Sequence, residues 1–268
     1  MKKDIGHHLT LFLMKNHTNN GFGILIILGA LFFISGCAPM FVDRICPSYV
    51  TSYQNMIEIR LEKFSQAEAK NYIAIIYIFD QARECDLNSR GEQKEKFDGL
   101  CQKHGDVSYN RIRSLPTFGS TDLISFADRD FSMIEITSDS DFDAEHPAGT
   151  SLGDIVRFLG SSPIKYIQSG YSKYYHYDEK DYSEAYKKLL IMLGYNYYFD
   201  PSVELTDYPI DKKVETLTEK DLILLGGSGG LGVLYFEKTP ENIKEHTITL
   251  KMTTDDGDVF ENSIKIVF

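Results

Sequence analysis

Apolar and polar residues alternate along several short segments of the chain, which is the pattern of β-strands with one buried face. Residues 57–62 alternate strictly, and this spacing predicts that Ile57, Ile59 and Leu61 point inward. Residues 72–79 are apolar throughout, which is typical of a strand that is covered on both faces. These patterns predict a mainly β protein.

The C-terminal end has the pattern of a β-hairpin. Residues 247–253 and 263–268 both alternate, and an Asp-Gly pair at 256 supplies the turn. Residues 132–137 predict a further strand. Because immunoglobulin-like sandwiches often end on a paired apolar strand, we predict one domain over residues 56–268. Its expected fold is an immunoglobulin-like β-sandwich, or a related antiparallel sheet domain, with a short helical insertion.

Two segments near residues 151–194 have helical spacing and form the predicted insertion. Ser151 predicts the start of a helix that ends at Gly160. Residues 183–194 predict a second helix capped by Gly194, although the centre of this segment fits a buried strand equally well. The apolar positions that fall on one face of the first helix are Leu152, Ile155, Phe158 and Leu159.

The first 36 residues are predicted to be a targeting segment. Three lysines precede an apolar run of eleven residues, 24–34, followed by Ser35, Gly36 and Cys37. The sequence Ile-Ser-Gly-Cys resembles the lipobox of bacterial lipoproteins, which implies lipidation of Cys37 and removal of residues 1–36. The alternative is a single transmembrane anchor, because residues 22–42 contain no charge.

Composition argues against nucleic acid as a partner. The chain has 28 Lys and Arg against 39 Asp and Glu, a formal charge of −11. Anionic head groups would repel such a domain, so we expect the N-terminal lipid to provide membrane attachment.

The residues after Cys37 indicate the expected location. Ala38, rather than Asp, follows Cys37, which favours the outer membrane, and the lack of an acidic run favours its periplasmic face over the cell surface. Residues 37–55 are predicted to be a tether.

Three cysteines remain beyond the leader, and an envelope location favours a disulfide. Cys85 and Cys101 flank a hydrophilic stretch that is expected to be an exposed excursion, so they are the candidate pair. Cys46 is an alternative partner for either. The spacing of these cysteines and of the histidines predicts no metal site.

Two motifs resemble ligand-binding loops. Residues 227–232 match G-x-G-x-x-G, but a strand pattern follows instead of the required helix, so we predict a loop and no cofactor. Asp139, Asp141 and Asp143, with Glu145, resemble the start of a calcium loop. The later ligand positions of an EF-hand are missing, which favours a solvated acidic loop and leaves an irregular calcium site as the alternative.

The chain has no recognisable catalytic motif. Its mature histidines are far apart in sequence, and no G-x-S-x-G motif is present. We therefore expect a protein that is not an enzyme.

Tyrosine clustering is the one compositional anomaly. Nine of the seventeen tyrosines lie in residues 171–198. Aromatic rings with hydroxyl groups suit sugars or a protein partner, so Tyr171, Tyr174, Tyr175 and Tyr177 are candidate ligand-binding residues. The alternative is that these rings pack in the core, and the lack of Trp weakens the case for carbohydrate.

Several segments together resemble uncharacterised Bacteroidetes-type envelope lipoproteins. They are the lipobox leader, residues 149–154, residues 166–171, and residues 246–250 before the closing hairpin. The resemblance covers the leader and about the second half of the chain, and it transfers no catalytic residues. It implies a lipid-anchored outer-membrane protein that acts as a non-catalytic binding or structural module, with an envelope protein or a glycan as its partner. The alternative is a surface glycan-binding lipoprotein with a tyrosine-rich face.

Overall fold

The computed structural model describes residues 41–65, 69–116, 124–226, 232–242 and 245–268. Eleven strands and three helices lie within these residues. The strands are β1 Phe41–Cys46, β2 Ser52–Lys63, β3 Tyr72–Asp86, β4 Arg111–Pro116, β5 Ser125–Ala127, β6 Phe131–Ser138, β7 Val156–Ser162, β8 Tyr208–Lys213, β9 Gly232–Phe236, β10 His246–Thr254 and β11 Val259–Ile266. The helices are α1 Glu92–His104, α2 Ile164–Gln168 and α3 Glu184–Met192.

The strands form three sheets. Six strands lie in the order β5-β2-β3-β9-β7-β8, three in the order β11-β10-β6, and β1 pairs with β4. All strand pairs are antiparallel except the short β2–β5 pair. The fold is therefore mainly β and sandwich-like with a short helical insertion, as the hydrophobic pattern predicts.

Both faces of the six-stranded sheet are covered. Phe158 and Leu234 belong to the core between this sheet and the three-stranded sheet, whereas the neighbouring Leu159 and Val233 pack in a second core with α3. A third core packs α1 and α2 near the start of β2. This layering explains why the central strands are apolar at consecutive positions.

The helix predicted from Ser151 is wrong, since residues 156–162 form β7. Val156, Phe158 and Leu159 are all fully buried because the strand is covered on both faces. This run of apolar residues fits helical and strand spacing equally well. The second predicted helix is confirmed as α3, in which Ser183 Oγ accepts a hydrogen bond from the N–H of Tyr186.

The hydrophilic stretch between Cys85 and Cys101 is not a plain excursion, because α1 begins within it. This helix buries only Phe97, Cys101 and His104, one side chain for each turn, and exposes most of the rest. The residue before it, Gly91, and the C-terminal cap, Gly105, both have positive φ. The buried face is thus narrow and includes a cysteine and a histidine, which makes it hard to recognise in the sequence.

Residues 41–55 do not behave as the predicted tether. Residues 41–46 form β1, and β2 begins at Ser52. Between the two strands, the side chains of Ser48, Tyr49 and Val50 are buried. The predicted tether contained a strand because β1 finds its partner in β4, some 70 residues later in the chain.

The predicted C-terminal hairpin is confirmed as β10 and β11, with Thr247 opposite Lys265 and Thr253 opposite Val259. The inward-facing residues of β2 differ from the prediction at one position. A bulge between Met56 and Glu58 buries Met56 and leaves Ile57 52% exposed, while Ile59 stays inside.

The leader, Cys37 and residues 227–231 of the glycine motif lie outside the described residues. Gly232 is described and begins β9, where an added Cβ would lie 2.7 Å from the hydroxyl of Tyr77. The longest helix in the described ranges, α1, has 13 residues, and none of these helices is a candidate membrane span.

Candidate functional site

The β1–β4 ribbon presents an apolar outer face. Ile45 and Ile112 lie directly opposite each other in the two strands, and they are 68% and 70% exposed. No other large apolar side chain in the described part of the chain is as exposed as these two. Their neighbours Cys46 and Leu115 point inward and are buried, as strand alternation requires. The ribbon therefore has one packed face and one open apolar face.

Arg113 fastens the inner face of the ribbon to the body of the protein. Its guanidinium lies 4.8 Å from the ring centre of Tyr49 and 4.7 Å from that of Tyr109. It also donates a hydrogen bond to the carbonyl of Tyr49 at 2.8 Å. Cation–π attraction and this hydrogen bond together fix the position of β4.

Arg111 extends the same contacts to α2 and the segment that follows it. One guanidinium nitrogen donates to the hydroxyls of Tyr174 at 2.7 Å and Tyr166 at 3.1 Å. The other donates to the carbonyl of Tyr171 at 2.6 Å. The hydrogen bonds from Tyr166 and then Arg111 lower the pKa of Tyr174. Two of the four candidate tyrosines thus belong to the support of the ribbon.

Asp106 connects these tyrosines to the start of β2. Its buried carboxylate accepts hydrogen bonds from the backbone N–H of Tyr49 at 2.6 Å and of Val50 at 2.8 Å. The hydroxyl of Tyr171 donates a third at 2.8 Å. Burial raises the pKa of Asp106, because the surroundings disfavour its charge. The three donors offset only part of that cost, and the carboxylate serves as a structural connection.

A second buried chain of polar groups holds α1 against the sheet. The hydroxyl of Tyr53 lies 3.0 Å from His104 Nδ1, and His104 Nε2 lies 2.9 Å from Asp130 Oδ2. Lys103 also contacts Asp130 at 2.8 Å. Burial raises the pKa of Asp130, but His104 and Lys103 outweigh it and lower the pKa to about 2. Tyrosine, histidine and aspartate in series resemble a proton relay, yet all three are at least nine-tenths buried.

Tyr175 and Tyr177, the other two candidate residues, lie in a different core. The Tyr175 hydroxyl donates to Asp181 at 3.0 Å, and the Tyr177 ring stacks on that of Tyr182 with centroids 5.1 Å apart. Tyr171 and Tyr175 are buried, and Tyr174 and Tyr177 are half-buried. The four rings are therefore divided between two cores and do not form one exposed face.

The acidic loop after β6 uses its carboxylates to organise its own backbone. Asp139 accepts from the N–H of Thr247, and Asp141 accepts from that of Ala148, both at 2.8 Å. Asp143 accepts from the N–H of Glu145 at 2.9 Å. No group of three His, Cys, Asp or Glu side chains in the described residues is arranged to hold a metal ion.

The predicted disulfide is not formed in the structure. Cys46, Cys85 and Cys101 are free and buried. Burial raises the pKa of Cys85 to about 11 and that of Cys101 to about 12. Cys85 lies on β3, where its backbone pairs with that of Tyr53 on β2, whereas Cys101 projects from α1. Each thiol fills part of the third core.

An open groove of about 440 Å³ lies between the start of β3 and the first turn of α3. Tyr72 and Tyr235 line it with ring centroids 4.8 Å apart, beside Lys70 and Glu184. The sequence patterns did not indicate this groove, because its lining residues come from three separate elements.

Comparison with protein-family models, with curated proteins and with solved structures finds no match to this chain.

Proposed function

We propose that the protein is a lipid-anchored protein of the outer membrane and acts as a non-catalytic binding or structural module of the cell envelope. The observation that carries this proposal is the lipobox-like sequence ending at Cys37, four residues before the first strand begins. An anchor at this point would hold the domain close to the lipid surface.

The placement of the polar groups supports a role without catalysis. Of the four histidines in the described residues, His104, His146 and His246 are at least nine-tenths buried and each contacts a neighbouring side chain. The fourth, His176, is exposed, and its nearest polar contact is the backbone carbonyl of Pro201. General acid–base catalysis needs such a group within reach of a substrate. The most exposed apolar side chains, Ile45 and Ile112, lie on the ribbon, which suits contact with a surface or a partner.

Metabolic labelling with a fatty acid tests the anchor. We expect labelled palmitate to be incorporated into the wild type and not into the Cys37→Ala variant. A Cys46→Ala variant is the matched control, since it removes a different cysteine and should keep the label. Unlabelled wild-type protein that retains its leader would contradict the proposal and favour the transmembrane anchor.

Protease treatment of intact cells tests the expected location. A domain on the periplasmic face should resist digestion until the outer membrane is permeabilised. Digestion in unbroken cells would contradict that face and place the domain on the surface.

Glycan binding is the second candidate, and the groove favours it over the Tyr171–Tyr177 segment. Sugar rings stack on aromatic faces while charged and amide groups contact their hydroxyls, and the groove offers both. Affinity electrophoresis in gels containing envelope polysaccharide tests this. We expect Tyr235→Ala to abolish retardation and Tyr197→Ala, which lies outside the groove, to preserve it. A wild type that is not retarded would contradict this candidate.

A further inference from the structure

The position of the ribbon limits how far it can lie from the proposed anchor. Phe41 begins β1 four residues after Cys37. Four residues span at most about 14 Å even when fully extended. If Cys37 carries lipid, the start of the ribbon must therefore lie within about 14 Å of the head-group region. Ile45, four residues further along β1, is about 13 Å from that point.

The charge of the ribbon differs from that of the whole chain. β1 and β4 together carry three arginines and one aspartate, in a protein with a formal charge of −11. By strand alternation the three arginines share the inner face with Cys46 and Leu115, whereas Asp43 lies on the outer face two residues from Ile45. The ribbon's basic charge is therefore directed away from the isoleucine pair, and any contact of the outer face with lipid depends on apolar area.

The exposed isoleucine pair suits the same surroundings. Ile45 and Ile112 are directly opposed and are 68% and 70% exposed. Contact of this apolar area with water is unfavourable, so such a patch often marks an interaction surface. Transfer of their apolar area into the interfacial region of a bilayer is favourable. Because Arg111 and Arg113 fix the inner face to tyrosines, the outer face is presented on a rigid base.

From the short distance to the proposed anchor and the exposed isoleucine pair we infer that the outer face of the β1–β4 ribbon lies against the lipid surface, with Ile45 and Ile112 inserted at the level of the head groups. This inference rests on the proposed lipid anchor. It adds that the domain has a defined orientation relative to the membrane, instead of swinging freely on a flexible tether.

Tryptophan fluorescence offers a direct test, because the chain has no Trp. The full-length lipidated protein with Ile112→Trp is reconstituted into vesicles of phosphatidylethanolamine and phosphatidylglycerol that contain lipids with a doxyl quencher near the head group. The matched control is Ile191→Trp, since Ile191 is also apolar and 57% exposed but lies on α3. We expect at least about twofold stronger quenching of the Trp at 112, with a blue-shifted emission.

A Trp at 45 should behave like the Trp at 112, so the test does not depend on one variant folding. Equal quenching at 112 and 191 in vesicle-bound protein would overturn the inference and leave the proposed anchor intact. A blue shift at 112 that depends on protein concentration without vesicles would also overturn it, in favour of a second copy. Wild-type protein that lacks lipid on Cys37 would instead refute the anchor itself.

Discussion

His146 Nδ1 lies 2.6 Å from Asp143 Oδ1, and the opposite ring nitrogen lies 2.9 Å from a carboxylate oxygen of Asp154. Both nitrogens can donate only when the imidazole is charged, so the loop favours the imidazolium form. Burial lowers the pKa of His146, but the two carboxylates outweigh burial and raise the pKa above 6.5. The loop is thus organised by a charge that depends on pH.

Stability from this contact should decrease in mildly basic solution. Because the folded pKa is raised, the contribution is fully present below 6.5 and is lost as the pH rises through the folded value. We expect His146→Gln to lower the free energy of unfolding by about 1–2 kcal/mol at about pH 6, and by less at about pH 9. Thermal unfolding at both pH values measures this. The control is His176→Gln, which changes an exposed histidine, and a deficit that is equal at both pH values would contradict the charge argument.

The thiols of Cys46, Cys85 and Cys101 should all be free but unreactive in the folded protein. Burial raises the pKa of each, so little thiolate forms at neutral pH. We expect all three to be alkylated in denatured, unreduced protein and almost none in native protein, as peptide mapping by mass spectrometry would measure. If Cys85 and Cys101 were alkylated only after reduction, the result would contradict free thiols and support the predicted disulfide.

Tyr171 should contribute to stability through Asp106. Tyr171→Phe removes one of three donors to a buried carboxylate, so we expect a loss of about 1–2 kcal/mol in chemical denaturation. Tyr177→Phe is the control, because it keeps the ring contacts with Tyr182 and Phe199 and the expected change is below about 0.5 kcal/mol. Equal losses in the two variants would show that the hydrogen bond to Asp106 is not the cause.

The sheets could be predicted where one strand face meets water, as in β6, β10 and β11. The helix α1 could not, because its inward positions 97, 101 and 104 include a cysteine and a histidine that do not read as an apolar stripe. β7 could not be distinguished from a helix, since both of its faces are buried.

The candidate site was harder to predict, because its contacts join residues that are distant in sequence. Arg111 and Tyr171 are 60 positions apart, and Asp106 and Tyr49 are 57 apart. The clustering of tyrosines was visible in the sequence, but the hydrogen bonds that turn those rings inward depend on the tertiary fold. The exposed pair Ile45 and Ile112 likewise depends on a strand pairing that local patterns do not contain.

The bulge in β2 predicts opposite effects for two adjacent apolar residues. Met56 is 2% exposed, whereas Ile57 is 52% exposed. We expect Met56→Ala to lower the free energy of unfolding by about 2–4 kcal/mol, because it leaves a cavity in the core between the six-stranded and three-stranded sheets. Ile57→Ala should change it by less than about 0.5 kcal/mol. Urea denaturation of both variants measures these changes. Simple alternation would instead place Ile57 inward, so Ile57→Ala would then cause the larger loss of stability.

Asp207 should be a destabilising residue at neutral pH. Its half-buried carboxylate has no hydrogen-bond donor within the described part of the chain, and burial raises its pKa to about 6. Burial raises the pKa of the nearby Tyr49 and Tyr198, and the negative charge of Asp207 raises both further. The surroundings therefore favour the protonated form of this carboxyl group.

The Asp207→Asn variant tests this cost. A raised folded pKa means that the protonated group supports the fold below 3.8 and that this support is lost as the pH rises through about 6. The full difference corresponds to about 3 kcal/mol, and partial exposure reduces it to about 1–2 kcal/mol. We expect Asp207→Asn to unfold at a higher temperature than the wild type at about pH 8 and to lose that advantage at about pH 4.

The control is Glu204→Gln, which removes an exposed carboxylate three residues away and should change the unfolding temperature little at either pH. A destabilised Asp207→Asn variant near about pH 8 would mean that the charge of Asp207 has a favourable partner in the folded protein.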